Sequence, residues 1–292
     1  MATATPSVAR RPTTWSLSAR AFYWLLIAPA LVAMLLFYFF PLGKVLWISV
    51  TEPRPGLDNY VLLLTSESVH RVFRVTARIC VITTTVTLVL GYIVAYAMIH
   101  ARDRHLRWLT FFVLLPLWVS VLVRAFAWIT LLRSNGLINQ ALLGLGVVSE
   151  PLPLVRNEFG VSVGMIHYMI PFAVLPLYAN MQGIDLRLVA AARGLGASPL
   201  AAFWRVFLPL SLPGLVGAGV LVFIFSIGFY VTPAILGGGR VFMVAEYIGV
   251  QILTLLRWGL GTMLATTLLV SVLLLMAALG RLVNLRKLFG AA

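Results

Sequence analysis

Hydrophobic positions in this chain fall in long blocks, not in the alternation of a strand or the one-sided stripe of a surface helix. A helix needs about 20 apolar residues to cross about 30 Å of hydrocarbon. Lipid offers no partner to an unpaired backbone group, so such blocks must be helical. Six stretches meet the requirement: Phe22 to Phe40, Ile79 to Ile99, Leu109 to Leu132 (interrupted by Arg124), Val161 to Met181, Leu210 to Leu236 and Leu260 to Leu279. The expected fold class is therefore an all-α membrane protein with six transmembrane helices. The first block is longer than a signal-peptide core and ends in Phe39, Phe40 and Pro41, which predicts a retained helix.

Composition agrees with this picture. Of 292 residues, 61% are hydrophobic and 10% charged, whereas a soluble domain carries about 25% charged residues. The net charge of +14 would suit a nucleic-acid binder, but the basic residues stand in small clusters between apolar blocks. They serve better as topology signals. With both termini cytoplasmic, segments 1–21, 100–108, 182–209 and 280–292 hold 12 basic residues, and the outer segments hold 9. Arg71, Arg74 and Arg78 lie on the outer side at helical spacing and predict a basic surface helix leading into the second span. The domain plan that follows is an N-terminal segment 1–21, a membrane domain 22–281 and a tail 282–292. One cysteine, Cys80, excludes a disulfide framework, and the sequence predicts neither a catalytic constellation nor a metal site.

The connection between the fourth and fifth spans, 182–209, is the most informative. Asp185 can cap a helix over Leu186 to Arg193, and Ser198 followed by Pro199 is a second helix start. Gly194 and Gly196 permit a bend between two short helices. These helices carry Leu186, Val189, Ala190, Leu195, Ala201, Ala202, Phe203, Trp204 and Phe207, an apolar surface that suits a protein partner. An amphipathic connector lying on lipid headgroups is the alternative. The Gly194-Leu195-Gly196 string has no following Lys and nothing in the chain resembles a Walker A sequence, so ATP binding by this chain is not expected.

In this connection Ala191, Ala192, Gly196, Val206, Leu208 and Pro209 fall on the frame of the EAA loop, and the chain resembles ABC importer permeases of type I. Ala190 stands where that family has Glu, and Gly194 where Asp is common. The resemblance implies a coupling element formed by Ala190, Ala191, Ala192, Gly196, Ala197, Ser198, Phe203, Val206 and Pro209. This element docks on a cytoplasmic ABC ATPase dimer, which binds ATP and Mg²⁺, so that no cofactor sits in this chain. With the family's Glu replaced by Ala190, docking would rest on shape and apolar packing. Further strings narrow the resemblance: Gly56-Leu57-Asp58-Asn59-Tyr60, Leu115-Pro116-Leu117-Trp118, Leu122 through Trp128, and Gly228 through Gly239 look like the spermidine/putrescine-type branch. What this implies is a multi-pass protein of the bacterial plasma (inner) membrane. Its partners would be a second, homologous permease and an extracytoplasmic solute-binding protein, and its cargo a polyamine or a related amino-acid-derived compound. A secondary transporter or channel driven by an ion gradient is the alternative from another class. It would call for an intramembrane acid or an acid–His relay, and none is evident.

Candidate pathway residues are few. Arg124 is the one ionisable side chain well inside a predicted span and reads as a cavity charge, a partner contact or a side chain snorkelling to the interface. His167 reads as a lining group or a packing residue, and Cys80 as core. Polyamines are cations, which call for carboxylates or aromatic faces. No Asp or Glu lies in the six blocks, and the fifth offers Phe229 and Tyr230. Gly237 to Gly239 with Arg240 reads as an outer turn, with Glu246 beyond it near the expected gate or in a plain loop.

Overall fold

The computed structural model describes residues 19–282, so most of the predicted N-terminal segment and nearly all of the predicted tail lie outside the described residues. The chain divides into two units, 1–47 and 48–292. In the first, the described part is helix Ala19–Met34, a π turn Leu35–Phe39 and the start of helix Phe40–Thr51. The second holds the other helices.

Six helices are long and apolar enough to cross a membrane: Phe22–Thr51, Glu67–His100, Val121–Gly144, Glu158–Gln182, Pro199–Ile227 and Trp258–Ala278. The number agrees with the sequence, but the boundaries differ in instructive ways. The second span begins at Glu67, so Arg71, Arg74 and Arg78 ride on its first turns and not on a separate surface helix. Arg78 meets Glu158, at the head of the fourth span, at 3.4 Å. The predicted third block is split, because helix Asp103–Trp118 ends just after Pro116 and a new helix starts at Val121. A proline inside a helix removes a backbone donor and crowds the preceding turn. The predicted fifth block is also too long at its end. Its helix stops at Ile227, and Gly228, Phe229 and Tyr230 lead into a separate helix Val231–Leu236.

The second, fourth and fifth spans form the centre of the second unit. Ala95, Met98, Met169, Ala173, Leu177, Phe207 and Val222 are buried together there. Small residues let the backbones approach, as membrane helices require in the absence of a hydrophobic drive between them. A Cβ on Gly91 would stand 2.9 Å from Ala173 Cβ, and one on Gly214 would stand 2.5 Å from Asn180 Cβ. The Tyr92 and Ser211 hydroxyls, 2.8 Å apart, tie the second span to the fifth. Cys80 is fully buried in a neighbouring apolar cluster with Ile79, Val161 and Met165.

Candidate functional site

The connection after the fourth span is built by local rules. Asp185 Oδ1 accepts a hydrogen bond from Arg187 N at 2.9 Å and opens helix Leu186–Gly194. At its end Gly196 N donates to Arg193 O and Ala197 N to Ala192 O, both at 3.0 Å. This pair of bonds is a Schellman closure, whose turn residue takes a left-handed conformation. Gly196 has φ +93°, which only glycine adopts without strain. Gly194, by contrast, is helical, so a single glycine makes the bend. Ser198 Oγ then accepts from Ala201 N at 3.2 Å, with Pro199 in the first turn.

The second helix is not short. From Pro199 it runs through a π turn, Phe203–Phe207, directly into the fifth span. The bend at Gly196 therefore lies about one turn before the helix that becomes the fifth span.

The apolar surface predicted for this connection separates into two faces. Ala202 and Phe207 are buried, and Phe203 sits edge-on to Tyr92 and Tyr96 with ring centroids 6.0 and 5.6 Å apart. Val189, Ala192, Ala197, Phe203 and Val206 are half-buried. Of these, Val189 and Phe203 pack against the central cluster of the bundle. The free face carries Leu186, Leu188, Ala190, Ala191, Leu195, Gly196, Ser198, Leu200, Trp204 and Pro209. Leu195, at the tip, is 90% exposed. An open cavity of about 410 Å³ at the start of the connection is lined by Asn180, Gly183, Ile184, Asp185, Leu188 and Leu210.

The candidate pathway residues fall into two groups. Arg124 is in the first turn of helix Val121–Leu132, just past the break, and not deep in an unbroken span. Its guanidinium carbon lies 4.6 Å from the Tyr168 ring centroid, in a cation–π contact. Tyr168 in turn meets Phe229 at 4.7 Å and Phe172 at 5.6 Å, and Phe172 meets Phe225 at 5.0 Å. Two predicted residues, Arg124 and Phe229, are thus brought together by one that sequence reasoning passed over. The available signal for Tyr168 was an aromatic residue with a hydroxyl beside His167 in an otherwise apolar block. His167 itself accepts a hydrogen bond at Nδ1 from Trp128 Nε1 at 3.1 Å, which fixes it as a packing residue between two spans.

Tyr230 and Glu246 form the second group. Gly237–Arg240 is a turn, with Gly238 and Gly239 at φ +53° and +73°. The chain then enters helix Val244–Gly249, continued by a π turn Val250–Thr254. Glu246 is 5% exposed and belongs to this packed helix, not to an open loop. Its Oε2 has no hydrogen-bond partner among the described residues. Burial pushes its carboxyl up to about 7, against a hydrogen bond from the Met243 backbone that lowers it. The Tyr230 ring packs on Gly249 of the same helix. Among the described residues no group of three His, Cys, Asp or Glu is placed to hold a metal ion.

These features define a multi-pass helical membrane protein that carries an exposed connecting helix joined to a span by a hydrogen-bonded turn. The chain is 32% identical to the spermidine/putrescine transport system permease protein PotB of Escherichia coli K12 over 212 residues, covering 73% of this chain and 77% of that one. It is 33% identical to PotB of Haemophilus influenzae over 181 residues, covering 62% and 63%. No family model matches. In structure it is similar to a bacterial ABC transporter involved in the import of the acidic polysaccharide alginate, with TM-score 0.71 and 18% identity over 89% of this chain and 94% of that one. The chain belongs to the permease family of ABC importers, in the PotB branch, and is a multi-pass protein of the inner membrane.

Proposed function

We propose that this chain is one of two homologous permease subunits that together form the pathway for a polyamine such as spermidine or putrescine, or for a related amino-acid-derived compound. Both termini lie in the cytoplasm. An extracytoplasmic binding protein delivers the solute, and a separate ATPase dimer binds ATP and Mg²⁺ and docks on the exposed face of 182–209. The relatives' names support the cargo. A related fold has been solved with a substrate-bound periplasmic protein, which supports the delivery step.

The observation that carries the coupling reading is the Schellman turn at Gly196, whose two hydrogen bonds link an exposed helix to the start of the fifth span. Closure of the ATPase dimer displaces helix Leu186–Gly194, and the fifth span follows because it begins at Pro199. The pairing is tested by co-expressing the chain with a candidate ATPase, second permease and binding protein from the same genome, and by purifying through a tag on this chain. Co-purification of the ATPase and ATP-dependent uptake of labelled spermidine into proteoliposomes are expected. Uptake that persists without ATP would overturn the reading in favour of an ion-driven transporter.

A further inference from the structure

The sequence shows no acid within its six apolar blocks, which leaves a polyamine carrier without an evident counter-charge. The structure supplies one in the connection between the fifth and sixth spans. Glu246 is 95% buried on the 5% exposure given above, yet Oε2 has no donor among the described residues. Its hydrogen bond comes from a neutral backbone N–H, that of Met243. A buried carboxylate oxygen left without a donor keeps the full cost of its lost hydration. Such a group calls for an explanation, and a ligand that meets it in some state of the working cycle is one.

A second observation points to the kind of ligand. On helix Val244–Gly249, residues 246 and 249 are three apart and share a face, with Cβ positions about 5 to 6 Å from each other. Position 249 is glycine, and the Tyr230 ring fills the space its side chain would occupy: a Cβ there would stand 2.9 Å from Tyr230 Cε2 and 3.6 Å from the hydroxyl oxygen. The glycine therefore seats an aromatic ring one helical turn from the unpaired carboxylate. Tyr230 is 44% exposed, so the ring is also reachable from outside the packed core.

A carboxylate plus an aromatic face is an electron-rich combination that recognises an ammonium group, by ion pairing and by the ring's negative face. We infer that Glu246 and Tyr230 form this subunit's recognition site for a terminal ammonium group of the cargo. The inference rests on the polyamine reading above. In the conformation described here the carboxylate is closed off, so the cation reaches it when the connection moves in the transport cycle. Arg124 belongs to a different cluster, on Tyr168, and does not neutralise Glu246.

The test uses the assembled importer in proteoliposomes, with saturating binding protein and ATP, and spermidine and putrescine as probes. Wild type is compared with Glu246→Gln, Glu246→Asp and Tyr230→Leu, each checked for monodisperse elution. Glu246→Gln should raise the KM for both polyamines at least tenfold, Glu246→Asp should recover part of the loss, and Tyr230→Leu should raise KM severalfold. An unchanged KM in Glu246→Gln beside normal wild-type uptake overturns the site and leaves the polyamine reading standing. Absence of uptake of either polyamine by wild type overturns the polyamine reading and the site with it. If Glu246→Gln does not fold, Tyr230→Leu and Glu246→Asp decide: unchanged KM in both overturns the assignment.

Discussion

The Arg124 guanidinium rests on the Tyr168 ring, 4.6 Å from its centroid, while its Nε and Nη1 are buried without a hydrogen-bond partner among the described residues. The ring is the main compensation this cation receives here. A cation–π contact of this kind contributes about 0.5 to 2 kcal/mol, and losing it leaves two buried donor atoms without compensation.

Tyr168→Leu should therefore destabilise the detergent-solubilised chain by about 1 to 3 kcal/mol. Arg124→Met should cost less, because it removes the charge along with its need for a partner. The double variant should lose less than the sum of the two single effects, keeping only the part of the Tyr168 loss that comes from its packing on Phe172 and Phe229. Thermal unfolding of all four proteins gives the cycle, and strictly additive effects would show that the two side chains do not interact.

The contact between the second and fourth spans sets another expectation. Gly91→Ala places a Cβ at 2.9 Å from Ala173 Cβ, inside any normal contact, with both groups on rigid helix backbone. The spans must part, at a cost of about 1 to 3 kcal/mol. Gly91→Ala combined with Ala173→Gly should recover most of the lost melting temperature. No recovery would mean that the loss arises elsewhere than at this contact.

How far the sequence carried differs between parts of the molecule. The number of spans was legible because block length against bilayer thickness is a coarse, local quantity. The Asp185 and Ser198 caps were legible because capping is decided within three residues. Span ends were not, since Leu210 to Leu236 is apolar throughout and only the backbone break at Gly228–Tyr230 divides it. The division of the 182–209 connection into a packed face, with Phe203 and Phe207, and an exposed face, with Leu195 and Trp204, needed the neighbouring Tyr92 and Tyr96 from a distant span. Glu246 was picked out by its type and position. Its burial and its missing partner arise from packing that no sequence window contains.

Gly196 tests the coupling route. At φ +93° an alanine is strained by about 1 to 2 kcal/mol, and an aspartate adds charge on the free face. Helix Leu186–Gly194 would then lose its fixed angle to the fifth span while insertion in the membrane is unaffected. Gly196→Asp should lower polyamine uptake per ATP hydrolysed at least severalfold, with Gly196→Ala intermediate. Measured together on one proteoliposome preparation, equal ratios in variant and wild type would exclude a role for this turn in coupling.

The pH dependence of stability follows from Glu246. Burial raises its carboxyl from the ordinary 4.5 to about 7, so between those values the folded chain holds a proton that the unfolded chain has released. Stability from this group is complete below about 4.5 and declines as pH rises, because the folded state binds more protons over that window. The wild-type melting temperature should fall relative to that of Glu246→Gln as pH goes from about 5 to about 8, and level off above. A bound ammonium reverses the sign, since it pairs with the ionised carboxylate. Added spermidine should therefore raise the wild-type melting temperature more at the upper end of this range than at the lower, and should do so less in Glu246→Gln. Parallel melting curves for the two proteins across the range would show that Glu246 is already ionised in the folded state, and the unpaired acid would then need another partner.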